Sequence, residues 1–281
     1  RRGENLLNDS FDSIQRFSDE TLARKRFYII FAGEDGIDVG GLSNEWFTLI
    51  MREFVNPHFC LFKSISTDQS TFHPNELSHV NFLHLQYFLL AGRLLAKGLI
   101  DRLPLQFKFT RAFQKMMLDK SLILLDLNEF NPELVRNLNW IAENEIAGVF
   151  DDMTFSVDHE EFGAHRKTDL KPNGSNIPVT DENKFEYIRL VIYHRLYNSV
   201  KAQIDSFFLG LHSIIPKELL KNFSVQEWNK IISGSTPIDV DDWQRNTIYR
   251  GYTVESPQIE FFWRAVRSFT DAERRQLLKF A

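Results

Sequence analysis

The stretch from about residue 81 to residue 98 limits this chain more than any other. It reads as one helix that is apolar nearly all round, and such a helix has to be buried at the centre of a domain. It is not a membrane span. Phe82 to Ile100 carries His84, Gln86, Arg93 and Lys97, whereas a spanning helix needs ~20 mostly apolar residues. The chain around it must therefore supply a core. Its 281 residues amount to one large domain or two modest ones at roughly 150 residues each. With 43% apolar and 25% charged residues, disorder, collagen and coiled coil are excluded. The rings, 26 Phe, 7 Tyr and 5 Trp, are enough both to fill that core and to leave some for exposed binding surfaces.

The charges exclude further classes. Lys and Arg number 33 against 38 Asp and Glu, a net of -5, without the basic patch that phosphate contacts demand, so no nucleic-acid partner is expected. A single cysteine, Cys60, allows no intramolecular disulfide and no Cys-based zinc site. No HExxH pair occurs; His79 and His84 lie ~140° apart round a helix and cannot share a face. The polar start, Arg1 to Asn5, has no apolar signal core. A reducing intracellular setting, cytoplasmic or nuclear, is expected, with no metal, cofactor or membrane and a monomeric state.

Local signals outline the elements. Tyr28 to Ala32 reads as a short buried strand stopped by Gly33 to Gly36. A helix follows from about Gly41, with Leu42, Trp46, Leu49, Ile50 and Phe54 on one face and Asn56-Pro57 ending it. Asn131-Pro132-Glu133 opens another, continued by Leu134, Leu138 and Ile141 at i, i+4 and i+7. Met153 to Val157 and Ile177 to Val179 read as strands. Asn183 and Glu186 have the spacing of a capping box for a long helix reaching about Gly210. Ser224 and Glu227 form a stronger box, Phe223 can staple onto Trp228, and Gly234 closes that helix. Ser256-Pro257 and Thr270 to Glu273 start two more.

Chemistry is harder to find. The glycines between Ile30 and Trp46 lack the GxxxxGK spacing, and Glu34, Asp35 and Asp38 would repel a phosphate. No GxSxG elbow exists. Asp151 and Asp152 are adjacent, so on a strand they face opposite ways. Cys60 sits among Phe59, Leu61 and Phe62, where a packed thiol is the simpler reading. Arg93 reads as a paired core arginine. From the residues alone the chain is a predominantly helical α+β domain without a catalytic constellation of its own.

Phe31-Ala32-Gly33-Glu34-Asp35-Gly36-Ile37-Asp38-Val39-Gly40-Gly41, followed by Glu45-Trp46-Phe47, resembles the opening signature of HECT-type ubiquitin ligases. Phe54 to Pro57, Gly92-Arg93, Glu161-Phe162-Gly163, Asp169 to Gly174, Ile232 to Gly234, Asp239 to Trp243 and Phe262-Trp263 follow in the family's order and spacing. The resemblance covers about Ser10 to Ala281 and is nearest to the Tom-one and Nedd-four branch. It implies a HECT N-lobe over residues 1–281, with a large helical subdomain and a small mixed one at about 140–215. The family's catalytic cysteine, in a His-Thr-Cys-Phe setting on a C-lobe, has no counterpart here, and Cys60 does not match it. The sequence stops where the family's hinge would begin, so an isolated N-lobe, inactive alone, is expected.

The resemblance further implies partners and sites. A ubiquitin-loaded conjugating enzyme would insert a loop phenylalanine into a groove of the small subdomain, at Leu134, Leu138, Ile141, Met153, Tyr187 and Val191. These six could equally be that subdomain's own core. A noncovalent ubiquitin site would use Phe59, where some relatives have tyrosine, and Phe162; the alternative is two aromatics in separate packing clusters. Protein substrates would be chosen by regions outside this sequence. The rival readings are a helical interaction scaffold without ubiquitin chemistry and a hydrolase built on Cys60 or on Asp151 and Asp152.

Overall fold

The computed structural model describes residues 3, 5–65, 69–150, 152–161, 164–234, 238–270, 273–274 and 277–278. They fall into two units, residues 1–234 and 235–281.

The first unit opens with α1 (Leu6–Ile14) and α2 (Asp19–Arg24), the latter capped by the Ser18 hydroxyl, which accepts from Thr21 N–H at 3.2 Å. An irregular stretch leads to α3 (Gly41–Phe54). Asp38 organises the start of that helix, its carboxylate accepting from the N–H groups of Gly40 at 2.8 Å and Ser43 at 3.3 Å, and from the Ser43 hydroxyl. It also accepts from Ile29 N–H at 2.9 Å. Burial alone would raise this carboxyl; the Ser43 hydroxyl and three backbone donors outweigh it and bring the pKa to about 2.

Next come β1 (Phe62–Ser64) and β2 (Thr71–Pro74), antiparallel with Phe62 opposite Pro74. The central helix α4 (His84–Asp101) follows, then β3 (Lys108–Phe109), which pairs in parallel with β2, and α5 (Arg111–Met117). The chain continues through α6 (Pro132–Glu143), the hairpin β4 (Ser156–Glu161) and β5 (Ala164–Asp169), then α7 (Lys184–Leu196) and α8 (Lys201–His212). Two helices close the unit, α9 (Lys217–Leu220) and α10 (Val225–Ser233). The Ser224–Glu227 box caps α10, Phe223 lies 6.5 Å from Trp228, and Gly234 ends it at φ 60°.

The helix expected at about 81–98 is α4, and it is buried as its composition requires. Its partner is α8, and the two meet backbone to backbone. A Cβ added to Gly92 would lie 2.0 Å from the Phe207 carbonyl oxygen, and one added to Gly210 would lie 2.0 Å from that of Leu89. The two cations of α4 are paired: Arg93 with Asp19 at 2.7 Å and with the Phe17 carbonyl at 2.8 Å, Lys97 with Asp101 at 2.8 Å and with the Lys25 carbonyl at 2.7 Å. Many of the rings gather here too. Phe62, Phe88, Phe109, Phe113 and Phe207 form a chain of ring contacts with centroids 5.0–6.3 Å apart.

A second core gathers apolar side chains from Ala112 to Leu196. Val200, Ile204, Phe207 and Leu211 belong to the first core. Thus α8 packs in the larger core, although the reading of a small subdomain at 140–215 included it.

Several local expectations need correction. Tyr28 to Ala32 forms no strand, and Tyr28 and Ile30 are exposed, while Phe31 is buried. The strand expected at Met153–Val157 begins only at Ser156, and Ile177 to Val179 contributes only an isolated bridge, Thr154 to Pro178. The helix expected to run to Gly210 breaks after Leu196. On a straight helix Leu196 and Val200 would share a face, yet they belong to different cores, and the break lets the chain pass between them. Asn183 makes no capping box; its side-chain amide oxygen accepts from Thr180 N–H, and Glu186 pairs with Lys171.

The second unit holds α11 (Val240–Arg245), capped by Asp239, and α12 (Pro257–Ser268). Trp243 meets the buried Trp263 edge to face at 5.5 Å, and the Trp263 indole N–H donates to the Tyr249 hydroxyl at 2.8 Å. Arg267 joins the helices through Asp241 at 2.8 Å and Gln244 at 2.7 Å.

The α4–α8 contact is testable. Gly92→Ala puts a methyl against a backbone carbonyl that only a helix shift can relieve, and should cost about 3 kcal/mol in urea unfolding. Gly41→Ala, with open space at its Cβ, should cost nothing measurable.

Candidate functional site

The second core leaves an opening on its surface, a groove of about 310 Å3 framed by α6, the chain before β4, and α7. Each wall follows from local structure. The Asn131 side chain starts α6 by accepting from Leu134 N–H at 2.9 Å, which sets Leu134 in the first turn at one edge of the groove. Met153 is held by its own carbonyl, which accepts from Val179 N–H at 2.8 Å. Tyr187 and Val191, one turn apart on α7, both line the groove. The Tyr187 ring rests edge to face on Phe155 at 5.8 Å. Phe155 is itself fully buried, with the Lys171 ammonium 3.6 Å from its ring centre. The base of α7 is tied down by Lys184, which donates to the Asn144 carbonyl at 2.6 Å and to Asp181 at 2.9 Å.

Four of the six positions expected to meet a conjugating enzyme therefore come together: Leu134, Met153, Tyr187 and Val191. Leu138 and Ile141 do not line the groove. They are 2% and 6% exposed and belong to the second core. The i, i+4, i+7 row on α6 thus begins at the groove with Leu134 and turns inward along the next two turns. Val191 is 2% exposed as well, so it is floor more than wall.

The sequence reading missed the polar rim. Asp158, Lys167 and Arg195 line the groove beside Asp152. Arg195 donates to the Asp158 carbonyl at 3.3 Å, a link between α7 and β4 that no local pattern announces. Burial raises the Tyr187 phenol above its usual value, so it is neutral at physiological pH. An apolar floor with charges of both signs at its lip suits one protruding apolar side chain from a protein partner. Trp140 and Phe150, 5.7 Å apart and 41% and 42% exposed, form a second aromatic pair that also went unnoticed.

Phe59 lies elsewhere in the first unit. It ends a single 3-10 turn begun by Asn56, half-buried, with its ring edge to face on Tyr87 at 6.3 Å. Its carbonyl accepts from Asn81 at 3.2 Å. The neighbours of Asn81 are Val80 and Phe82, 59% and 94% exposed. Phe162 and Asp151 lie outside the described residues. Cys60 follows Phe59 at φ 55°, its thiol donating to the Pro57 carbonyl at 3.3 Å. Among the described residues no group of three or more His, Cys, Asp or Glu could hold a metal, and no helix is long and apolar enough to cross a membrane.

A family model described as HECT-domain (ubiquitin-transferase) matches residues 48–281. The chain is 43% identical over 279 residues to the E3 ubiquitin-protein ligase TOM1-like of Neurospora crassa, covering 99% of this chain and 7% of that protein. It is 41% identical to the E3 ubiquitin-protein ligase HUWE1 of Mus musculus, covering 99% of this chain and 6% of that protein. The E3 ubiquitin-protein ligase RSP5 of Emericella nidulans is 42% identical, with 99% and 34% covered. The chain thus spans less than a tenth of the first two and about a third of the third.

Core and groove positions differ in what truncation should do. Leu138→Ala should cost about 2–4 kcal/mol in unfolding free energy, as for other buried leucines, and Met153→Ala about 1 kcal/mol or less. Equal losses would contradict the assignment of Met153 to the groove.

Proposed function

The chain belongs to the HECT-domain family of ubiquitin transferases, and from that premise we propose that it is the part of such a ligase that docks a ubiquitin-loaded conjugating enzyme. The observation that supports this reading is the convergence of Leu134, Met153, Tyr187 and Val191, from three separate segments, on one groove with a polar rim. A phenylalanine from the conjugating enzyme fills it, and the rim charges set the orientation of the two proteins. The transfer itself is two successive nucleophilic steps. A ligase thiolate attacks the thioester carbonyl on the conjugating enzyme and releases that enzyme's cysteine as thiolate; a substrate lysine amine then displaces the ligase thiolate and forms an amide. This chain contributes position rather than a nucleophile, holding the loaded enzyme where the first attack can occur. Cys60, with its thiol turned onto its own backbone, takes no part, and the chain alone forms no ubiquitin thioester.

A second contact belongs to the same reading. Phe59, with the exposed Val80 and Phe82 across the Asn81 hydrogen bond, is a surface for noncovalent ubiquitin. Aromatic anchors of this kind supply contact area with few rotors to freeze.

Titration of the chain with a panel of ubiquitin-conjugating enzymes tests the reading. At least one should bind, and Met153→Ser should weaken it about tenfold, a modest hot spot, while lowering the melt by no more than about 4 °C. In the same mixtures, with activating enzyme and ubiquitin, no reducible adduct should form on the chain. Absence of binding across the panel, wild-type affinity for the variant, or an adduct lost in Cys60→Ser would each contradict it.

A further inference from the structure

Between α2 and Gly33 the chain runs without helix or strand, and burial alternates residue by residue. Phe27 and Ile29 are half-buried and Phe31 buried, while Arg26, Tyr28 and Ile30 are exposed. A period of two is the mark of an extended chain, and Lys25 already has extended dihedrals, φ -104° and ψ 138°. In such a chain the backbone groups of alternate residues point to opposite edges. One edge is occupied: Ile29 N–H donates to Asp38 at 2.9 Å, and the Phe27 carbonyl accepts from the Ser43 hydroxyl at 3.2 Å. The other edge belongs to Tyr28 and Ile30. Among the described residues their backbone N–H and C=O groups make no hydrogen bond.

Beside this segment is an apolar groove of about 460 Å3, bounded on its far side by α1 and α2 and lined by Ile14, Leu22 and Trp46 as well as by Tyr28 and Ile30. Apolar surface continues outward. Tyr28 and Ile30 are 62% and 68% exposed, and Ile37 and Val39, held near them by the Asp38–Ile29 bond, are 79% and 93% exposed. This many exposed apolar side chains on two segments joined by one hydrogen bond is uncommon on a free surface and points to an interaction site. At the α2 end Lys25 and Arg26 line the same groove. Arg24 pairs with Glu20, but neither Lys25 nor Arg26 has a carboxylate partner among the described residues.

We propose that this edge docks an extended peptide of a partner protein, which adds a strand to Tyr28–Ile30, seats alternate apolar side chains in the groove, and sets an acidic residue against Lys25 and Arg26. The free N–H and C=O groups determine the kind of occupant. A helix spends its backbone groups on itself, whereas an extended chain offers them at the spacing an open edge needs. The unpaired cations determine the charge at one end. The site is separate from both the conjugating-enzyme groove and the Phe59 surface and does not rest on either.

The test is selection from a phage-displayed library of ten-residue random peptides on the intact chain, followed by synthesis of the selected sequences. They should alternate apolar and polar residues and carry Asp or Glu at one end. N-methylation of alternate peptide amides should weaken binding at least about tenfold by removing backbone donors. Lys25→Glu combined with Arg26→Glu should weaken it about three- to fivefold. In amide exchange followed by NMR, Tyr28 and Ile30 should gain protection on binding. The proposal is overturned by a selection that yields nothing. It is equally overturned by helical peptides, by peptides indifferent to N-methylation that leave both amides unprotected, or by a chain that self-associates through this edge.

Discussion

The backbones of α4 and α8 touch at Gly92 and Gly210, and much of what the molecule presents is placed from there. With a carbonyl oxygen 2.0 Å from where each Cβ would be, neither position tolerates a side chain, so the two helices cross in one register. Along α4 the same register sets Tyr87 under Phe59, Arg93 against Asp19, and Lys97 under the Lys25 carbonyl. The Phe59 surface, α2 and the segment that follows it are therefore all referred to one helix. On the other side, α8 continues α7 through the break at 197–200, so the crossing also bears on the second core.

That second core combines two tasks along single helices. On α6 the row that starts at Leu134 in the groove ends with Leu138 and Ile141 in the interior, and on α7 Tyr187 and Val191 share the groove while Ile188 and Ile192 are buried in the core. On the proposed function, stability and recognition draw on neighbouring turns of the same helices. A groove made this way is preorganised: Tyr187 is fixed by Phe155, and Phe155 by burial with Lys171 over its face. Little side-chain freedom remains to be lost when an apolar side chain enters.

The helices were legible where the signal is local. The Asn131 cap, the Ser224–Glu227 box, the αL glycine at 234 and the all-round apolar character of α4 are each decided within a turn or two. The HECT resemblance read from ordered motifs agrees with the family match over residues 48–281. What failed was decided at a distance. Tyr28 to Ala32 has strand composition, but its available partners are Asp38 and Ser43 rather than another strand. The α7–α8 break is a consequence of two cores competing for one apolar row, which periodicity within the row cannot reveal. Likewise the split of Leu134 from Leu138 and Ile141 depends on where β4 and α7 close over α6. The rim residues Lys167 and Arg195 reach the groove from β5 and from the last turn of α7, which tertiary packing alone brings together.

The division between open groove and closed core is the central claim, and the chain's 4 methionines report on it together. Met51 and Met117 are buried, 2% and 0% exposed, and Met116 is half-buried against both cores. Only Met153 lines the groove. With the methionine methyls carbon-13 labelled, adding a conjugating enzyme that binds should shift the Met153 resonance strongly and leave Met51 and Met117 where they are. Saturable binding that leaves the Met153 methyl unmoved would contradict it.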